Sequence, residues 1–209
     1  MKSNFRLTLL LILLTDALCA QTYITNVSVA DVVQHRWLHN QTVTINHDLI
    51  TDIRPAQQAR IPANAIIVDG EGKYLIPGLI DAHIHFSQTG GLYTRPDAID
   101  LRKYKPYQEE IDWAHDHMED VLRRYLQNGI TTVMDVGTTI NFLKHRDAFK
   151  DATYAPSIYM SGPLLTTYEP AALSNLGDDG PFSLVKTVED GLKMVQQQLQ
   201  YHPDMIKIW

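Results

Sequence analysis

The sequence contains a single cysteine, Cys19, among its 209 residues. This excludes a disulfide-bonded framework and any zinc module built from several cysteines. Lysine and arginine number 18 against 24 acidic residues and are scattered along the chain, so the basic face of a nucleic-acid-binding protein is missing. The chain also lacks the Gly-x-Gly-x-x-Gly and P-loop patterns, which disfavours a doubly wound nucleotide-binding domain.

Long apolar runs are also scarce, and the one near the start is short. Leu7–Leu14 follows two basic residues, and small residues lead to Ala20. This is the layout of a secretory signal peptide, about half the length needed to span a bilayer. Asp16 disfavours the alternative of a membrane anchor. We therefore expect residues 1–20 to be removed and the protein to be exported, periplasmic or secreted, without a membrane anchor.

The hydrophobic fraction of 44% is typical of a globular chain with a core. Residues 21–73 show the short apolar–polar alternation of β-strands, without a helical period. We predict a small antiparallel sheet in this segment. His35, His39 and His47 fall in or beside its turns and are interpreted as surface histidines. The four predicted strands are Tyr23–Val29, Gln41–Ile45, Leu49–Ile53 and Ile66–Val68.

From Tyr74 onward, apolar strands alternate with helices. One helix is predicted over Gln108–Gln127, and a later one carries apolar residues at helical spacing at Val188, Leu192, Val195 and Leu199. This alternation implies an α/β fold with a parallel sheet, either open or closed into a barrel. The four predicted strands, each expected to be buried, are Leu75–Ala82, Ile130–Val136, Ser157–Ser161 and Met205–Trp209.

His83 and His85 follow the first of these strands. Side chains two residues apart on a strand point the same way, so both imidazoles face one side. Two such imidazoles make half of a divalent metal site, with zinc the usual choice, and the alternative is two polar residues at a strand exit. His115 and His117 have the same spacing inside a predicted helix, where they diverge. We interpret that pair as solvated helix surface.

Residues 74–85, Tyr-Leu-Ile-Pro-Gly-Leu-Ile-Asp-Ala-His-Ile-His, resemble the segment that opens the barrel of metal-dependent amidohydrolases. The resemblance is to the imidazolonepropionase-like and prolidase-like members, and it covers the N-terminal part of the family's fold. Residues 129–137 and 204–208 are similar to the family's second and fourth strands. The implied architecture is the N-terminal half of a (β/α)8 TIM-like barrel at 74–209, truncated after four strand–helix units. Part of a small β-sandwich at 21–73 precedes it.

The resemblance also implies roles for individual residues. His83, His85 and Lys207 are implied as metal ligands. Asp81 either supports them or packs at the strand end. A lysine in an apolar strand is unusual, and a buried neutral amine can react with carbon dioxide to give a carbamate that bridges two metals. The alternative is a lysine that snorkels from the strand end. The complete site is expected to hold one or two divalent ions, usually zinc.

No catalytic residue is assigned within the chain. The resemblance implies two further histidine ligands, after the fifth and sixth strands, and a proton-transferring aspartate after the eighth strand. All three are expected beyond Trp209. Tyr93 and Arg95 lie in a polar loop after the first strand and are candidates for substrate binding, Arg95 by pairing with a carboxylate.

The implied activity is hydrolysis of carbon–nitrogen bonds other than ordinary peptide bonds, by attack of a metal-activated hydroxide. Cyclic amides, N-acyl compounds and dipeptide-like molecules are the substrate classes expected. The alternative is a catalytically incompetent chain that lacks the ligands of the second half-barrel. We expect a small-molecule substrate and no nucleic-acid partner. Open sheet edges predict that the chain aggregates or pairs with another half-barrel, such as a second copy of itself.

Overall fold

The computed structural model describes residues 21–88 and 99–209. They form two compact units that divide between Pro77 and Gly78, whereas the sequence places the boundary after residue 73. The signal-peptide prediction for residues 1–20 and the substrate-binding prediction for Tyr93 and Arg95 lie outside the described residues. Over the described ranges, no helix is long and apolar enough to cross a membrane.

The first unit is built from five strands: β1 (Thr22–Asp31), β2 (Arg36–Asn46), β3 (Leu49–Pro55), β4 (Ile66–Asp69) and β5 (Tyr74–Leu75). The sheet order is β3-β2-β1-β4, and β5 also pairs with β1. β1, β2 and β3 pair antiparallel, as predicted. β4 and β5 run parallel to β1, so the expectation of a purely antiparallel sheet is wrong. The buried core residues of this sheet are Val27, Val29 and Val43.

The histidines of the first unit are exposed, as the sequence predicts. His35 and His47 occupy the turns on either side of β2, with φ angles of 51° and 55° in the left-handed region. His39 lies within β2 rather than in a turn, and its Nδ1 is 3.0 Å from the Ser28 hydroxyl oxygen. These histidines therefore belong to the sheet surface.

The second unit alternates strands and helices, which confirms the α/β fold class. Its strands are β6 (Leu79–Ile84), β7 (Ile130–Asp135), β8 (Ser157–Met160), β9 (Leu164–Thr166) and β10 (Phe182–Leu184). Its helices are α1 (Tyr107–Asp116), α2 (Met118–Gln127), α3 (Ile140–Arg146) and α4 (Val188–Leu199). β6, β7 and β8 form a parallel sheet in that order, and β9 pairs parallel with β10.

The apolar run at residues 75–82 is divided between the two units instead of forming one strand. Leu75 pairs with β1, and β6 begins only at Leu79. Pro77 lies between them and has no backbone N–H for a sheet ladder. Leu79 and Ile80 are 49% and 64% exposed, so the prediction of a strand covered on both faces is wrong here.

The predicted helix Gln108–Gln127 is two helices, α1 and α2, which meet at His117. The backbone of His117, with φ −108° and ψ 15°, is not helical and breaks the run. The apolar face expected for the helix is nevertheless present. Its buried members are Ile111, Ala114, Met118 and Leu122.

Side-chain caps begin the two remaining helices. Thr139 accepts a hydrogen bond from the Phe142 backbone N–H at the start of α3, a helix that the sequence analysis does not predict. Thr187 and Asp190 form a capping box at the start of α4. The predicted apolar stripe of α4 is present but largely exposed, at 75% for Val188, 61% for Leu192 and 52% for Leu199.

The predicted fourth barrel strand, Met205–Trp209, is not a continuous strand. It makes two isolated parallel bridges, from Met205 to Ser161 and from Ile208 to Leu165. Ile208 and Trp209 are 78% and 52% exposed, so the expectation that this segment is buried is wrong at its end.

The core of the second unit joins the strands to the helices. Its buried residues include Ile84, Val133 and Met160 from the parallel sheet and Ile111, Leu122 and Phe142 from the helices. This packing fixes the carboxyl ends of β6 and β7, from which the side chains of the candidate site extend.

Candidate metal centre

His83 and His85 stand at the carboxyl end of β6 with Ile84 between them. Ile84 is buried in the core, whereas His83 is exposed and His85 is half-buried. The two ring centroids are 5.3 Å apart, and the ring planes are nearly perpendicular at 83°. Alternation along the extended chain therefore places both imidazoles on the side away from the core, as predicted.

Both imidazoles border a cavity of about 320 Å³, and Lys207 borders it too. The structure thus brings the three predicted metal ligands to one place. Lys207 is half-buried, and its backbone carbonyl accepts a hydrogen bond from the Leu165 N–H at 3.0 Å, which anchors the segment that carries the amine. The other residues around the cavity are Ser87, Gln88, Tyr107, Gly137, Leu164, Pro181, Phe182 and Trp209.

The donor set of this cavity fits a divalent metal under one condition. Imidazole nitrogens are preferred zinc ligands, and His83 and His85 offer two. Among residues 21–88 and 99–209, no group of three or more histidine, cysteine, aspartate or glutamate side chains is placed to hold an ion. Lys207 is the third ligand that the resemblance implies, and as an ammonium it has no free electron pair to offer. The residues fit the metal if Lys207 is converted to a ligand.

His85 is held in the cavity wall by its Nδ1 atom. This nitrogen lies 3.1 Å from the Gly137 carbonyl oxygen and 3.7 Å from Oδ1 of Asp135. The Asp135 carboxylate raises the pKa of His85, and the Gly137 carbonyl adds to the rise, while burial and the Lys207 ammonium oppose it. With Nδ1 engaged in the wall, Nε2 is the ring nitrogen left for a ligand.

Asp135 is a site residue that the sequence analysis misses. It ends β7 and is fully buried, with an exposed fraction of 0%. Its carboxylate accepts hydrogen bonds from the backbone N–H groups of Phe86, at 2.9 Å, and Gly137, at 3.1 Å. The available signal is that Asp135 is the one charged residue within the stretch 130–137.

Asp81 lies within β6, two residues before the first histidine. It is half-buried, and its Oδ1 accepts a hydrogen bond from the backbone N–H of His83 at 3.3 Å. The contact is with the backbone and not with the imidazole. Asp81 therefore holds the backbone of the strand end that carries His83.

The interpretation of His115 and His117 as a solvated surface pair is wrong for His115. This ring is half-buried, stacks on Phe142 with centroids 3.9 Å apart, and places Nδ1 3.1 Å from Nδ1 of His145. His117 stacks instead on Trp113, with centroids 4.2 Å apart. The two histidines do diverge, as expected, and neither borders the cavity of His83 and His85.

The parallel strands, with a candidate site at their carboxyl ends, define part of a (β/α)8 barrel. A sequence model of the amidohydrolase family matches residues 74–207, and the chain belongs to this family.

Individual known proteins are also similar to the chain in sequence or in structure. Guanine deaminase of Escherichia coli (strain K12) is 29% identical over 85 residues, which are 38% of this chain and 19% of that protein. A putative prolidase from Bifidobacterium longum has a TM-score of 0.61 and 25% identity, covering 91% of this chain and 40% of its own. Phenylurea hydrolase B has a TM-score of 0.70 at 19% identity, covering 90% of this chain and 45% of its own, and so shares the fold. The chain spans less than half the length of each of these proteins.

Proposed function

We propose that this protein is a metal-dependent hydrolase of carbon–nitrogen bonds other than ordinary peptide bonds. The observation that carries the proposal is the meeting of His83, His85 and Lys207 at one cavity, in a chain of the amidohydrolase family. The carboxyl ends of barrel strands are where active sites of this fold are built. Cyclic amides, N-acyl compounds and dipeptide-like molecules are the proposed substrates, and the likeness to a putative prolidase supports the last class.

His83 and His85 would hold the metal, with Nε2 of His85 as its donor atom. Lys207 would complete the set as a carbamate. Its neutral amine forms a nitrogen–carbon bond to carbon dioxide and loses one proton, which leaves an anion with two oxygen donors. Imidazole nitrogens with carboxylate-type oxygens suit zinc, as one ion or as a bridged pair.

The bound metal would supply a hydroxide nucleophile near neutral pH. The chain's own residues would place it. The His85 ring is fixed by the Gly137 carbonyl, and the apolar rings of Phe182 and Trp209, with centroids 5.2 Å apart, wall the cavity.

A second candidate is a chain that belongs to the family but does not turn over. The chain's residues span 40% and 45% of two structural relatives, and the activity of those whole proteins is not carried over to them. We further propose that the protein is exported through the segment at residues 1–20 and acts on a small molecule.

Metal content tests the metal assignment, and turnover separates the two candidates. The chain is purified, supplied with zinc and carbon-13 bicarbonate, freed of loose metal, and tested for bound zinc and for a carbamate carbon signal by NMR. We expect about one to two zinc ions per chain and a carbamate signal. Lys207→Ala should abolish the signal and lower the zinc content, whereas Lys193→Ala, at an exposed lysine of α4, should change neither.

Turnover is then measured on a panel of cyclic amides, N-acyl amino acids and dipeptides that end in proline. Zinc binding with hydrolysis of at least one class supports the proposal. Zinc binding without hydrolysis favours the second candidate. A chain that binds no zinc with bicarbonate present overturns the metal assignment.

A further inference from the structure

The Gly137 carbonyl determines which nitrogen of His85 carries hydrogen. A carbonyl oxygen only accepts hydrogen bonds, so a contact of 3.1 Å to Nδ1 requires Nδ1 to be the protonated nitrogen. In the neutral ring, Nε2 then has the free electron pair. The geometry at one backbone carbonyl therefore selects the tautomer that can bind a metal through Nε2.

Asp135 controls the two backbone positions on either side of this contact. One carboxylate oxygen accepts from the N–H of Phe86, the residue directly after His85, and the other accepts from the N–H of Gly137, whose carbonyl faces the ring. A single buried side chain thus ties the exit of β6 to the exit of β7. The oxygen that accepts from Gly137 is Oδ1 of Asp135, and it also lies 3.7 Å from Nδ1 of His85. Its negative charge there favours hydrogen on that nitrogen.

Gly137 leaves the space in which the ring sits. A Cβ atom at this position would lie 3.0 Å from Cε1 of His85 and 2.7 Å from Cδ2 of Leu164. The close approach of the imidazole to the Gly137 backbone therefore depends on the missing side chain.

We propose that Asp135 is a positioning residue for the metal centre, which holds the Gly137 carbonyl and the Phe86 N–H so that His85 presents Nε2 to the cavity. The inference rests on the proposed function for its purpose and on the hydrogen bonds of Asp135 for its geometry. Groups that orient a metal-binding histidine in this way typically change metal affinity 10–100-fold (an order of magnitude or two) when altered.

The test compares Asp135→Asn with the parent protein by two measurements. Nitrogen-15 NMR of the histidine rings, without metal and at alkaline pH, reports the tautomer of His85. Titration with zinc in the presence of bicarbonate reports affinity. The matched control is Asp147→Asn, the same chemical change at a side chain that is 77% exposed.

We expect His85 of the parent to be the Nδ1–H tautomer and Asp135→Asn to shift the population toward Nε2–H, with zinc affinity about 10–100-fold weaker. Asp147→Asn should match the parent in both. An Asp135→Asn protein that keeps the tautomer and binds zinc within about twofold of the parent overturns the inference. So does a variant that is less stable but keeps the tautomer, because Asp135 would then only join the two strands.

If Asp135→Asn does not fold, the His85 tautomer of the parent protein tests the inference. A dominant Nε2–H tautomer there contradicts the geometry. Gly137→Ala gives a second variant, which should displace the ring and shift the tautomer while Asp135 is intact. The two proposals fail separately. If the parent binds no zinc while Asp135→Asn still shifts His85 away from the Nδ1–H tautomer, the proposed function is refuted and the positioning of His85 by Asp135 stands.

Discussion

The Nδ1 atoms of His115 in α1 and His145 in α3 lie 3.1 Å apart. At this distance one nitrogen donates hydrogen and the other accepts it, so two neutral rings suit the contact and two protonated rings oppose it. Nε2 of His115 lies 3.8 Å from Oδ1 of Asp179, which Asn141 also contacts at 2.8 Å. The pair thus joins both helices to the segment that leads into β10.

Acid should weaken this junction. Burial lowers the pKa of His115 below its usual 6.5, and the charge of His145 lowers it further, while Asp179, Asp112 and Asp116 oppose the shift. Above 6.5 the ring is neutral in both states, and below it the unfolded chain binds the proton more readily, so stability falls as the pH drops.

Urea unfolding at about pH 7.5 and about pH 5.5 measures this loss. We expect the fall in the free energy of unfolding between these pH values to be smaller in His115→Gln than in the parent. The difference should be less than about 1 kcal/mol, since the ring is only half-buried. His39→Gln, at an exposed histidine of β2, serves as the control and should reduce the fall less. Equal losses in His115→Gln and the parent would contradict the prediction.

Two glycine substitutions should change stability in opposite directions. A Cβ at Gly78 would lie 2.7 Å from Cβ of Thr131 and nearer still to its other side-chain atoms, so Gly78→Ala should cost about 1–3 kcal/mol. Gly191 lies inside α4, where a Cβ would meet Val185 Cγ1 at an ordinary 3.5 Å. Gly191→Ala should therefore stabilise by about 0.5–1 kcal/mol. Chemical denaturation checks both, and a stabilising Gly78→Ala would show that Thr131 can move aside.

Asp204 should be needed to hold the segment that carries Lys207. Its Oδ2 accepts hydrogen bonds from the Met160 N–H at 2.8 Å and from Nη1 of Arg146 at 2.7 Å. Loss of the carboxylate leaves both donors without that partner, so Asp204→Ala should cost about 1–3 kcal/mol and lower zinc binding. Asp178→Ala removes the exposed ion pair with Lys144 and should change either property little. Unfolding and zinc titration measure both variants, and equal effects would contradict the special role of Asp204.

The N-terminal segment should direct export and be cleaved. In a secreting host, mass spectrometry of the exported protein should show a chain that begins at Gln21, because the small residues that end at Ala20 suit signal peptidase. Ala20→Arg should retain the segment and leave the protein with the cells. An exported protein that still begins at Met1 would contradict the prediction.

The sequence predicts the types of most elements because they follow from local patterns. Alternation in β1, β2 and β3, and the apolar face of α1 and α2, depend only on residues that are near in the chain. The break at His117 and the short helix α3 escape this reasoning, since neither changes the apolar period. The parallel pairing of β4 also escapes it, because alternation does not encode strand direction.

By itself, the sequence determined the α/β class and the placing of His83 and His85 on one side, because a strand reverses its side chains at every residue. The resemblance of the sequence also implied Lys207 as their partner, but only the tertiary structure decided how these residues are brought together and held. Lys207 reaches their cavity and Asp135 ties Phe86 to Gly137 through contacts between residues far apart in the chain. Such contacts arise from the order of strands in the sheet, and a local pattern of side chains contains no record of that order.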